Sequence, residues 1–325
     1  MIINMRILFS LFIILFLLSA TPAVAQFNSN QFTTPESGID LQPKFPHPGE
    51  IVTATINDYR SSSFGSDLIW VLDGKIVPGT KNKRTITFTA GELGASQAIE
   101  VVLTKGEGQN EKLKAVIKPI YLDIIVEPQT RTPDFYIGRA LPSMGSVVNA
   151  TALISGDNTP VSDLVYTWRI GQNVIEGAAI RGQNQVSYTT PMSNKEILSV
   201  EIAKIDGTII AKRFVLIPSV EPVIQFYELS PLFGISNKVI SDSIPLIGNS
   251  TIIKAEPYYL DSRVYNNPAI IEWKLGGIVT SNQSKNPYEI TLERTWAGGS
   301  TGLEFHVRDT KQVLQGAKGS TRINF

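Results

Sequence analysis

Leu68-Ile69-Trp70-Val71-Leu72-Asp73-Gly74-Lys75 is the stretch on which the reading of this chain turns. Leu68, Trp70 and Leu72 alternate with their neighbours at the period of a β-strand, so all three share one face. Asp73-Gly74 then supplies the backbone freedom that a tight hairpin requires. The pattern returns twice, as Tyr166-Thr167-Trp168-Arg169-Ile170-Gly171 and as Ile271-Glu272-Trp273-Lys274-Leu275-Gly276. The three tryptophans stand roughly one hundred residues apart, and a repeat at that period sets the architecture before any motif is considered.

Other strands keep step with them. Val52, Ala54 and Ile56 precede Trp70 at the intervals at which Ala150, Ala152 and Ile154 precede Trp168, and Ile253 and Ala255 precede Trp273 over a longer connection. Downstream, Ile86/Phe88, Val186/Tyr188 and Ile290/Leu292 mark a third strand, and Val101, Val200 and Phe305 centre a fourth. Short alternating strands, frequent turn signals and no helical stripe predict an all-β chain of three tandem Greek-key β-sandwiches. In each, the tryptophan (Trp70, Trp168 or Trp273) is expected to span the gap between two sheets and define the core.

On these three tryptophan segments the chain resembles tandem immunoglobulin-like or PKD-like domains of secreted bacterial surface proteins. PKD domains commonly carry Trp-x-Phe-Gly-Asp-Gly here. This chain keeps the tryptophan and the glycine turn but has Leu72, Ile170 and Leu275 in place of the phenylalanine. The resemblance covers residues 41 to 325 and implies a non-enzymatic, extracytoplasmic role.

The N-terminus reads as an export address. A basic Met1 to Arg6, an apolar Ile7 to Leu18 and the small-residue site Ala23-Val24-Ala25 form a secretory signal peptide over residues 1–25, with cleavage expected after Ala25. The alternative is an uncleaved anchor, for which this apolar run is shorter than the roughly 20 residues of a spanning helix. Residues 26–40 are expected as a flexible lead. Proline interruptions place the immunoglobulin-like domains at 41–118, 119–217 and 218–325, with short, stiff links between them.

Composition removes several functions. With no cysteine, disulfides, thiolate zinc sites and cysteine nucleophiles are out. The 29 basic and 29 acidic residues give no surplus for a nucleic acid backbone. His47, between two prolines, reads as a turn residue, and His306 as part of a solvated sheet face, so neither serves a triad or a metal. Asp157-Asn158 and Asp242 read as ordinary turn residues rather than calcium ligands. No catalytic residue, metal or cofactor is expected.

The departures from the repeat gather in the third copy. Tyr258, Tyr259 and Tyr265 lie in the extended link before Trp273, and Trp296 is the one tryptophan outside the repeated position. Aromatic rings among Asn and Arg are candidate contact residues for a sugar or a protein. The plainer reading is that they plug the open end of their own sandwich. The sequence thus predicts a scaffold or adhesin whose partner is a surface protein or envelope polysaccharide, with a glycan-binding array as the alternative. Membrane contact is expected only through the signal segment, if that is uncleaved.

Overall fold

The computed structural model describes residues 38–57, 66–104, 110–246, 248–281, 284–294 and 298–325. The signal segment, residues 26–37 of the lead and Trp296 therefore lie outside the described residues. No described helix is long and apolar enough to cross a membrane.

Three sandwiches follow one another. In the first, β1 (Gly38–Gln42), β2 (Ile51–Asn57) and β5 (Thr85–Thr89) form one sheet in the order β1-β2-β5. Strands β3 (Asp67–Leu72), β4 (Lys75–Ile76), β6 (Gln97–Thr104) and β7 (Asn110–Ile117) form the other, ordered β4-β3-β6-β7. The second repeats this with β8 (Tyr121–Pro128), β9 (Val147–Ser155) and β12 (Gln185–Thr189) against β10 (Val165–Ile170), β11 (Asn173–Arg181), β13 (Lys195–Ala203) and β14 (Ile209–Pro218). β1 begins at Gly38, inside the stretch expected as flexible lead.

The third sandwich elaborates the plan. Between β15 (Val223–Ser230) and β18 (Ser250–Tyr258) the chain adds β16 (Gly234–Val239), a hairpin partner for β15, and β17 (Ser243–Pro245). β21 (Glu289–Glu293) completes that sheet. The facing sheet is β17-β23-β22-β19-β20, built from β19 (Ile270–Leu275), β20 (Ile278–Thr280), β22 (Ser300–Arg308) and β23 (Gly316–Asn324). β17 runs parallel to β23 and carries Ile244 and Leu246 into the core. A single-turn helix, α1 (Ser262–Asn266), stands where the sequence suggested only loop; Asp261 caps it by accepting from the Arg263 N–H.

Each domain has its own apolar cluster, centred on its tryptophan. Trp70 and Trp168 are fully buried and Trp273 is 2% exposed. The Trp273 ring lies 4.6 Å from Phe305 in its own sheet and 6.1 Å from Phe226 in the facing one, so it does bridge the layers. Hairpin chemistry agrees with the letters: Asp73 and Gly74 both take positive φ, the turn that matches strand twist. The indoles are not equivalent in polarity. Trp70 Nε1 donates to Lys83 O at 2.8 Å and Trp273 Nε1 to Pro287 O at 3.0 Å, whereas Trp168 Nε1 has no acceptor among the described residues.

Candidate functional site

Three of the four candidate aromatics, Tyr258, Tyr259 and Tyr265, converge on the junction of the second and third domains. After β8 ends, residues 129–146 cross to the third domain, and their backbone pairs with the segment that follows β18. Arg131 N donates to Leu260 O, Tyr259 N to Arg131 O and Ser262 N to Gln129 O, at 2.7, 2.7 and 2.9 Å. Thr130 and Asp261 form an antiparallel bridge between them. Peptide groups are obligatory hydrogen-bonding partners, so this pairing fixes the register of one domain on the next.

Side chains reinforce the pairing. Arg131 Nε donates to Glu256 Oε1 at 3.1 Å, and Lys254 Nζ lies 3.0 Å from Glu256 Oε2; the carboxylate itself is fully buried. Burial alone would weaken the charge on Arg131, but Glu256 overrides it and holds the guanidinium pKa above its ordinary value. Asp261 is also fully buried. Its Oδ2 accepts from Val147 N of the second domain at 3.0 Å and its Oδ1 from Arg263 N at 2.8 Å, with the Arg263 guanidinium bonding both oxygens. Burial pushes the Asp261 carboxyl up, and these donors more than reverse it, so its pKa falls below the usual carboxylate range. Buried Gln315 closes the set: its Oε1 accepts from Asp261 N, and its Nε2 donates to Ser143 Oγ and Met144 O across the junction.

The tyrosines line this polar network. Tyr258 is 8% exposed, sits at the end of β18 and shares a 2.6 Å hydroxyl bond with Tyr227. The Tyr259 hydroxyl meets that of Tyr136, from the second domain, at 2.9 Å; this bond, followed by burial, pushes its pKa up to about 12. Tyr259 holds φ at +61°, a conformation that costs a non-glycine residue about 1 kcal/mol or more and that the surrounding contacts must over-determine. Tyr265 stacks on Tyr288 at 4.5 Å, with the Arg131 guanidinium 5.0 Å from its ring centre. A ring that binds sugar needs an open face. These three are engaged within the chain, each of them across the domain boundary, Tyr258 and Tyr259 with Tyr136 and Tyr265 with Arg131.

The first junction is smaller. Gly94 N donates to Pro119 O at 2.8 Å, and His47 Nε2 lies 3.1 Å from Leu122 O, so His47 touches the second domain rather than merely turning its loop. Asp157 is met by Lys118 at 2.9 Å and Lys204 at 3.6 Å, at one side of an interdomain cleft of about 490 Å³. Burial opposes its charge, but the Thr159 and Lys118 hydrogen bonds hold its carboxyl far below the usual range. Among the described residues no group of three or more His, Asp or Glu gathers as a metal site.

Strand order and cores define the class: a tandem array of three immunoglobulin-like β-sandwich domains. No protein family model matches the sequence, and no curated protein matches it. Solved structures to which the chain is similar include multidomain and modular proteins. The three N-terminal domains of the highly immunogenic outer capsid protein (Hoc) of bacteriophage RB49 share 12% identity, over 89% of this chain and 97% of that one, with a TM-score of 0.24. Fibronectin(III)-like modules of Clostridium thermocellum CbhA share 13% over 57% and 94%, at 0.26. SGBP-B of a Bacteroides ovatus mixed-linkage glucan utilization locus, solved with a heptasaccharide, shares 14% over 90% and 71%, at 0.24.

Proposed function

We propose that this protein is a non-catalytic, extracytoplasmic scaffold in which three immunoglobulin-like domains hold a fixed relation to one another and present a surface to a partner at the cell envelope. The observation that carries the reading is the junction of the second and third domains. Buried Glu256, Asp261 and Gln315 each bond across it, Glu256 through Oε1, and backbone pairing sets its register. A flexible string of modules needs no such network, because mobile domains meet through small, polar, exchangeable contacts. The partner is a surface protein or an envelope polysaccharide. Engagement of Tyr258, Tyr259 and Tyr265 inside the junction favours the protein.

Two measurements test this. Small-angle scattering of the full chain should give one well-defined distance distribution that added salt leaves unchanged; a broad distribution typical of independent beads overturns the fixed relation. Fractionation of cells producing the full chain should place it outside the cytoplasm, shortened after Ala25. Retention in the cytoplasm at full length overturns the location.

A further inference from the structure

The last strand of each sandwich, β7, β14 and β23, occupies the same place in the repeat, at or next to the edge of its sheet. That makes the three strands internal controls for one another. Exposed edges invite pairing with another chain, and charged side chains, above all lysine, are the usual defence. β7 turns Lys112, Lys114 and Val116 outward, with Lys114 paired to Glu100. β23 turns Lys318, Ser320 and Arg322 outward, and β17 already pairs with its last three residues. β14 carries Lys212 and Arg213 up to its centre but neither device over the residues that follow, until Val220, past its end, is bridged to Ser143. It ends its sheet, and after Lys212, which pairs with Glu201, it turns outward Phe214 and Leu216, 68% and 55% exposed. Ile197, opposite Leu216 on β13, is 48% exposed and extends the apolar strip.

We infer that β14 is the pairing edge of a homodimer, joining a second copy of this chain in antiparallel register about a twofold axis. The charge pattern selects this occupant. With the axis at Val215, Phe214 faces Leu216 of the second copy and Leu216 faces its Phe214, a favourable apolar cross-strand pair made twice. Lys212 then faces Pro218 and Arg213 faces Ile217 of the second copy, so no like charges oppose. The same operation on β7, about Ala115, sets Lys112 opposite Lys118 of its twin, a like-charge pair that is destabilising. Val215 and Ile217 point toward the core side and extend the buried face of the sheet across the axis. The result is one continuous sheet through both second domains, with the two arrays running in opposite directions.

The test uses the full chain. Sedimentation or light scattering over a wide concentration range should show mass doubling, and Phe214→Lys and Leu216→Lys should each return the monomer mass with an unchanged melting curve. Because the chain has no cysteine, Val215→Cys offers an independent reading: mild oxidation should give a disulfide-linked dimer, while Val116→Cys on β7 should not. Monomer mass at every concentration, a dimer that survives both lysine substitutions, or equally efficient cross-linking through Val116 overturns the inference. Should a lysine variant fold poorly, the Val215 and Val116 pair decides alone.

Discussion

Arg131 of the second domain and Glu256 of the third stand 125 residues apart in the chain, yet their side chains meet at 3.1 Å, and the carboxylate is sealed from water. Removing Arg131 leaves the buried carboxylate with Lys254 as its ion-pair partner and costs the hydrogen bond across the junction, whereas replacing both with apolar groups of similar volume is close to neutral. Arg131→Ala is therefore expected to lower the stability of the third domain by roughly 2 kcal/mol. The double variant Arg131→Met, Glu256→Leu should recover most of it. Chemical denaturation followed by near-ultraviolet signal checks both, and equal losses in single and double variants would refute the account.

The three core indoles differ in one bond, which predicts unequal costs for the same substitution. Trp70→Phe and Trp273→Phe each remove a donor from a carbonyl that it satisfies. Trp168→Phe removes an N–H that has no acceptor among the described residues. Losing a buried partner costs about 1 to 3 kcal/mol, so Trp168→Phe should be the mildest by about that margin. Calorimetry of the three variants measures it directly; a Trp168 variant as damaged as the others would contradict it.

Two carboxyls give opposite pH responses. The lowered pKa of Asp157 means that its contribution is present above the unfolded value near 3.8 and disappears as pH falls through the lower folded value. Glu196 is buried, with Oε1 accepting from the Tyr188 hydroxyl at 3.0 Å and Oε2 without a partner among the described residues. Burial pushes its pKa above 4.5 against the pull of that bond, so the second domain loses stability as pH rises through the raised value. Glu196→Gln should stabilise near neutral pH, and the gain should vanish below about pH 4.5. Melting curves at several pH values decide between this and a pH-independent gain.

Gly94 and Gly156 meet back to back at the first junction. A Cβ at Gly94 would lie 2.5 Å from Gly156 O, and its φ of +74° already excludes most side chains. Gly207 has a comparable φ of +86° but open space around it. Gly94→Ala should thus push the first two domains apart, while Gly207→Ala pays only the backbone penalty of about 1 kcal/mol. Amide spectra that show shifts confined to residues 91–96 and 119, 155–157 in the first variant would bear this out; unchanged contacts there would not.

The sandwich strands were legible because each buries one face, and alternation such as Val52-Ala54-Ile56 records that burial in the letters. The tryptophan placement was legible for the same reason. The junction was not. Its groups come from segments far apart in sequence, and Arg131, Tyr136 and Gln315 read as ordinary loop polarity until the fold brings them together. One clue was present: Glu256, two residues after Lys254, stands directly before the run Pro257 to Leu260, which carries no charge, and a charge there demands a partner. β17 escaped notice because a three-residue strand carries too little alternation to stand out from a loop.

The antiparallel bonds between residues 129–131 and 259–262 join peptide group to peptide group. Their strength depends little on which side chains those positions carry. Mutation can therefore rewrite the outer surfaces of these two modules extensively while the angle between them is inherited unchanged, leaving a fixed mount on which new contact faces are free to evolve.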